Sequence, residues 1–257
     1  MNIVVLVKSA IDEAELRADP SGRPVLKGAT TKMSNFDKNG VEEALRLKEE
    51  HRGNSTVTVL TVGGAEAKKA IREAMAMGAT KAVHVLAEPE AWPDALGTAY
   101  YLAKAIRRIG DVDLVVCSEG ASDTYQGQVG AMVAELLGIP CLAYAKKVEV
   151  VGTKIRCEQG SEKGARVLEA SLPVVLSVLS ETNVPRYPTL LQVMVASKKA
   201  IEDVQLASLK GSDYPETGFE VLGVSLQPVN RKRRILEGPP EVAAKKLVEA
   251  LKQEGVI

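Results

Sequence analysis

The sequence predicts an α/β protein: an open, mostly parallel sheet flanked by helices, with antiparallel additions and an extended C-terminal tail. Three observations carry this. Short apolar runs alternate with amphipathic stretches through the first half of the chain. Those runs are rich in Val, Ile and Leu, the composition of strands buried on both faces. After Leu137 the pattern changes to short β-type runs separated by turn residues.

Ile3–Val7 is the first strand. The connection from Lys8 to Phe36 is long and polar, with turn signals at Asp19-Pro20-Ser21-Gly22 and Lys27-Gly28, so it is either a small hairpin excursion or a functional loop. A helix near Gly40–His51, a strand at Val57–Val62, a helix near Ala65–Met77, a strand at Ala82–Leu86, a helix near Ala95–Ile109 and a strand at Leu114–Cys117 follow in the rhythm of βαβ units. Beyond a helix near Gln128–Leu137, the runs Lys147–Val151, Lys154–Glu158, Val167–Ala170 and Val174–Leu179, the first two joined by Gly152-Thr153, read as hairpin-like antiparallel strands closing the sheet. The α/β domain thus spans residues 1–182, and residues 183–257 form the tail.

That tail contains Pro185, Pro188, Pro215, Pro228, Pro239 and Pro240, a basic run Arg231-Lys232-Arg233-Arg234, and one clear helix at Glu241–Gln253. Ordering a residue costs roughly 1–2 kcal/mol of backbone entropy. A proline-punctuated tail therefore stays ordered only where a surface receives it, and the side of the helix carrying Val242, Leu247, Ala250 and Leu251 needs either the chain's own core or a partner.

The 257 residues are 46% hydrophobic and 26% charged, enough for one large α/β core with a tail. Lys+Arg and Asp+Glu both total 33, so no overall field draws the chain to nucleic acid or anionic membrane. The basic run lacks aromatic interleaving and reads as a solvated or subunit-facing segment. Cys117, Cys141 and Cys157 are far apart and follow no ligand spacing, which argues against a metal and for reduced thiols in a cytoplasmic setting. No signal segment and no spanning helix is legible, so no membrane insertion is expected.

The strongest local feature is Leu114 to Gly130, a buried strand running through the polar, glycine-containing loop Ser118-Glu119-Gly120-Ala121-Ser122-Asp123-Thr124-Tyr125-Gln126-Gly127 into the helix near Gln128–Leu137. Small residues let backbone N–H groups approach a ligand, and a helix N-terminus favours phosphate. Thr61-Val62-Gly63-Gly64 ends another strand in the same way, so both loops could face one crevice. Neither segment is G-x-G-x-x-G or a Walker motif, and ordinary α/β punctuation stays open as a reading. Asp123 is either a ligand-facing carboxylate or a capping or turn residue. His51 and His84 sit in no triad or metal spacing and read as surface or packed residues, and Trp92 as a local packing anchor.

Several segments together resemble the β subunit of electron transfer flavoprotein. They are Val7-Lys8 with Ile11-Asp12, Met33 to Asp37 leading into Val41–Glu49, Ala74–Ala79, Asp123–Gly130, Leu172-Pro173, and Asn183–Leu190. The likeness runs nearly end to end, and VEEALRLKE, AMAMGA and PRYPTL in this order carry most of its specificity. It implies an adenine-nucleotide-hydrolase-like fold, a heterodimer with a larger α subunit whose FAD carries the electrons, and a nucleotide pocket in this chain. That pocket would hold AMP in ordinary shuttles or a second FAD in electron-bifurcating relatives that take electrons from NADH.

By position the resemblance implies a pocket lined by Leu6, Ser34, Asn35, Phe36, Asp37, Val62, Gly63, Ser118, Gly120, Ala121, Asp123, Thr124, Tyr125, Gln126, Gly127, Gln128 and Val129. Phe36 and Glu158 would lie near the partner's flavin. The segment after Pro185-Arg186-Tyr187-Pro188 would dock partner dehydrogenases through Leu190, with Leu191 and Met194, unless Leu190 packs on its own domain. Electrons would come from acyl-CoA dehydrogenase-like donors, as in fatty acid oxidation, or from a ferredoxin-type donor, and leave to a quinone reductase. Lys8–Asp12 lacks the Val-Pro-Asp-Thr run of bifurcating relatives, which points to AMP, whereas Tyr125 adds bulk where a ligand would pass. A stand-alone nucleotide-binding stress-type protein is the rival from another class, with a monomer and a glycine-rich phosphate motif as its marks.

Overall fold

The computed structural model describes residues 1–25, 28–51, 55–87, 93–161, 164–215, 222–225 and 232–257. Lys27 of the second turn signal, Trp92, Pro228 and Arg231 lie outside the described residues.

Strand β1 (Asn2–Leu6) begins the chain, and β2 (Ser9–Ile11) and β3 (Thr31–Met33) pair antiparallel as a two-stranded excursion. Then come α1 (Asn35–Glu50), β4 (Thr56–Gly63), a 3-10 turn at Ala65–Ala67 running into α2 (Lys68–Met77), β5 (Lys81–Leu86), α3 (Ala95–Ile109), β6 (Leu114–Ser118) and α4 (Val129–Leu137). The second half holds β7 (Cys141–Val151), β8 (Lys154–Ser161), β9 (Gly164–Ser171), β10 (Val174–Val178), α5 (Leu190–Lys198), β11 (Glu202–Gln205), α6 (Leu206–Leu209) and α7 (Pro240–Gln253).

Among the described residues the main sheet has nine strands in the order β11-β5-β4-β1-β6-β10-β7-β8-β9. From β11 to β7 every neighbouring pair is parallel, and β8 and β9 add antiparallel strands at one edge. Both faces are covered. Ile3 and Val5 point into one apolar core with α1, α2 and Ala196 of α5, while Val4 and Leu6 point into a second core with α3 and α4. Alternation along β1 therefore buries every side chain from Ile3 to Leu6, the pattern expected of a doubly covered parallel sheet.

Val174–Val178 departs from the expected hairpin. It is an interior strand parallel to both β6 and β7, and all five of its residues are buried, as an unbroken VVLSV run allows between two neighbours. Helix α1 starts at Asn35, five residues before the apolar periodicity does, because its first turn is polar. The stretch after residue 182 contributes α5 and β11, and the compact unit comprises Met1–Arg17 with Val25–Leu222.

A second unit consists of Ala18–Pro24 with Gly223–Ile257. Its first segment is a turn in which Asp19 Oδ1 accepts from the Ser21 and Arg23 amides at 2.8 and 2.9 Å. Its second segment carries α7, with proline in its first turn and Val242, Leu247 and Val248 exposed. No helix among the described residues is long and apolar enough to cross a membrane.

Candidate functional site

Strand order locates the candidate site. From β1 the chain steps to β4 and β5 on one side, then returns to β6 and β10 on the other. The order reverses between β1 and β6, and in open α/β sheets ligands bind at the carboxyl ends of the strands flanking such a switch. A cavity of about 790 Å³ lies at the opposite edge, lined by Asn2, Thr56, Lys81, Arg108 and Glu202 among others. Its Arg108 is already paired with Glu202 at 2.9 Å, and the strand amino ends carry no comparable argument for a ligand.

Three segments converge at the switch. Directly after β1, the Lys8 amide donates to Asp37 Oδ2 at 2.6 Å, and its Nζ reaches Asp123 Oδ1 at 2.7 Å and Thr124 Oγ1 at 3.2 Å. At the start of α1, Ser34 makes no side-chain cap for its own helix; its Oγ accepts from the Ser122 amide at 3.2 Å, tying the loop after β6 to α1. Phe36 meets Tyr125 with ring centroids 5.3 Å apart. Asn35 turns away, donating to Glu13 Oε1 at 3.1 Å.

The loop after β6 is shaped by its small residues. Tyr125 has φ +46° and donates its hydroxyl to Glu119 Oε2 at 2.8 Å, which raises the pKa of the phenol. Its ring lies 2.9 Å from where a Cβ on Gly120 would be, so only glycine fits there. Gly127 has φ +65°, and Gln126, Gly127 and Gln128 are exposed before α4 begins at Val129. No side chain among the described residues caps the α4 N-terminus, so its first amides stay open, as an anion site requires. Helix α4 can stand directly over β6 because residue 130 is glycine: a Cβ there would collide with Cys117 Sγ.

Asp37 is the unusual titratable group. It is 4% exposed, and burial pushes its carboxyl up to about 7, against the lowering effect of the bonds from Ser118 and Lys8. The positive end of α1 favours a carboxylate by at most about 2 kcal/mol, and desolvation outweighs it. Bond geometry agrees. Ser118 Oγ is within bonding reach of both Asp37 Oδ1 and the Gly120 carbonyl, the latter at 2.8 Å. One hydroxyl hydrogen cannot serve two acceptors, and a proton on Asp37 lets the carboxyl donate to Ser118 while Ser118 donates to Gly120.

On the other flank, Leu6 and Val62 pack into the second core, and the Gly63 carbonyl accepts from the Ala87 amide at 3.0 Å and from His84 Nε2 at 2.9 Å. His84 is buried and also meets Asp203 of β11 at 3.1 Å, so it fastens the sheet edge. His51 is the exposed C-cap of α1. Ser122 Oγ and Thr61 Oγ1 are shut off from solvent without a hydrogen-bond partner among the described residues. The unpartnered Ser122 hydroxyl, open helix amides and a lysine at one strand-end crevice fit a phosphorylated ligand.

The chain matches the electron transfer flavoprotein domain family over residues 25–209. It is 36% identical to the electron transfer flavoprotein subunit beta of Thermoanaerobacterium thermosaccharolyticum, 33% to that of Bacillus subtilis and 35% to that of Clostridium acetobutylicum, each over the whole of both chains. The chain belongs to the electron transfer flavoprotein β-subunit family.

Of the residues carried over from that family's pattern, the structure gathers Ser34, Phe36, Asp37, Ser118, Gly120, Asp123, Thr124 and Tyr125 through the contacts above. Ala121 contributes its carbonyl, accepting from the Tyr125 amide at 2.9 Å. Glu158 stands apart on β8, paired with Lys147 at 3.2 Å; β10 and β7 intervene between β8 and β6, a separation of about 14 Å at the usual strand spacing. Leu190, Leu191 and Met194 lie on α5, 77%, 70% and 54% exposed. Lys8 is a crevice residue that the family positions did not single out; its signal is its place immediately after the first strand. Among the described residues no group of three or more His, Cys, Asp or Glu could hold a metal ion.

Proposed function

We propose that this chain is the β half of a cytoplasmic heterodimeric electron transfer flavoprotein, holding AMP in the β1/β6 crevice beside a larger α subunit whose FAD carries the electrons. The observation that carries the nucleotide assignment is the convergence of Lys8, the uncapped α4 N-terminus and the glycine-shaped loop at the switch point. In this reading the α4 amides and the loop backbone receive the phosphate, Lys8 exchanges Asp123 for it, and Asp37, its carboxyl pushed up to about 7 by burial, carries only part of a negative charge near neutral pH. Bound FAD on the α subunit supplies the one- and two-electron chemistry. Helix α5 offers Leu190, Leu191 and Met194 to acyl-CoA dehydrogenase-like donors, a quinone reductase takes the electrons onward, and residues 223–257 embrace the α subunit.

A second FAD in the crevice, with NADH as donor, is the alternative; the absence of the Val-Pro-Asp-Thr run at Lys8–Asp12 favours AMP. The test is co-expression with the α subunit. The purified pair should carry FAD that an acyl-CoA dehydrogenase reduces in the presence of its substrate. A stable monomer that neither pairs nor depends on flavin would instead support the stress-type nucleotide-binding reading.

A further inference from the structure

Helix α5 has nine residues, and only Ala196 is buried. Helices this short are marginal in water and owe their stability to burying an apolar face. Here Leu190 and Leu191 are turned out and the side chains at positions 193, 194 and 195 are about half exposed, so beyond Ala196 apolar burial holds the helix only weakly. Polar contacts at its two ends supply the rest.

Ahead of α5, Arg186 lies along α1. Its amide and Nε donate to Glu42 Oε2 at 3.0 and 2.8 Å, Nη2 donates to Glu42 Oε1 at 2.9 Å, and Nη1 donates to Glu49 Oε1 at 2.7 Å. Asn39 and Asn183 brace the same stretch, each donating its side-chain amide to the other's carbonyl at 2.9 and 3.1 Å. Thr189 and Gln192 then form a reciprocal capping box at the helix start. At the far end, Arg72 of α2 donates Nη1 to the Lys199 carbonyl and to that of Ala196 (2.6 Å), which also accepts from the Lys199 amide at 3.2 Å. The Arg186 grip uses the guanidinium's spread of donors, which an ammonium does not reproduce, whereas Arg72 donates from one nitrogen.

We propose that Arg186 and Arg72 are positioning residues for partner recognition: they hold α5 folded and in place, so that Leu190, Leu191 and Met194 meet a donor protein as a preformed apolar ridge. The inference rests on the reading of α5 as the docking surface. When the binding-competent state is only fractionally populated, apparent affinity falls by that fraction. A nine-residue helix released from its grips and folded about one-tenth of the time would bind about tenfold more weakly.

The experiment measures flavin reduction in the intact two-subunit complex as a function of acyl-CoA dehydrogenase concentration. Wild type is compared with Arg186→Gln, Arg186→Lys, Arg72→Gln and Leu190→Ala, and amide hydrogen exchange is followed over residues 190–198 and over β1, β4 and β6. Both glutamine variants should raise KM for the donor protein by about tenfold, with the effect on KM rather than kcat. Arg186→Lys should recover only part of the loss. Protection should fall in α5 while the strands keep theirs. If Leu190→Ala raises KM but neither glutamine variant does, the positioning role is overturned and the docking reading stands. Unchanged α5 exchange in both glutamine variants overturns it equally. If Leu190→Ala leaves KM unchanged, the docking reading falls and takes the inference with it.

Discussion

Replacing Asp37 by asparagine should make the protein more stable above about pH 4, increasingly so up to about pH 7. In the folded state burial holds the carboxyl at about 7, whereas its ordinary value is 3.8. Between those values the folded chain binds more protons than the unfolded one, so the unfolding free energy falls as pH rises. At about 1.4 kcal/mol for each tenfold change in proton affinity, the full loss is about 4 kcal/mol, complete above pH 7 and absent below pH 4. Asparagine reproduces the protonated group: its oxygen accepts from the Lys8 amide and its Nδ2 donates to Ser118 Oγ, leaving Ser118 free to donate to Gly120. Urea denaturation at pH 4, 5, 6, 7 and 8 should show the variant and wild type nearly equal at pH 4, with the variant's advantage growing to about 2 kcal/mol at pH 5 and levelling off at about 4 kcal/mol by pH 7 to 8. A difference that stays flat with pH, or a variant less stable at pH 8, would refute the protonated, buried Asp37.

Other expectations concern the neighbouring elements. Gly130→Ala should cost about 1–3 kcal/mol in denaturant unfolding, because the new methyl overlaps buried Cys117 Sγ, and Cys117→Ala in the same chain should return most of it. Lys8→Met should lower AMP affinity by about tenfold or more, the worth of a charge-assisted hydrogen bond, as read by calorimetry on nucleotide-stripped complex. Ending the chain at Leu222 should leave the sheet-bearing unit folded by circular dichroism yet abolish co-elution with the α subunit, and retained co-elution would contradict the embracing tail.

Much of the fold is legible in the sequence because doubly buried parallel strands announce themselves as apolar runs: Asn2–Leu6, Thr56–Gly63 and Leu114–Ser118 are all found within a residue or so of their observed ends. Strand β10 reads equally well as a strand, but periodicity carries no information on direction, and only the pairing with β6 and β7 places it inside the parallel sheet. Helix α5 hides between Pro185, Pro188 and a run of exposed apolar residues without a helical stripe; the Thr189-to-Gln192 capping spacing is its one local signal. Strand β11 is too short and polar to show, since its place at the edge depends on Asp203 meeting His84 and Lys68. The crevice was legible as strand-end loops. That Asp37 is buried, that Ser34 serves the Ser122 amide and not its own helix, and that Lys8 reaches Asp123 are consequences of long-range packing that sequence spacing does not encode.

The central claim is that an adenine nucleotide occupies the crevice between β1 and β6, and mass spectrometry of the small molecules released on denaturing the co-purified two-subunit complex tests it most directly. AMP beside one FAD per heterodimer is the predicted result. Two FAD and no AMP would make the crevice a flavin site and contradict the AMP assignment, and a single FAD with no second nucleotide would contradict the claim itself.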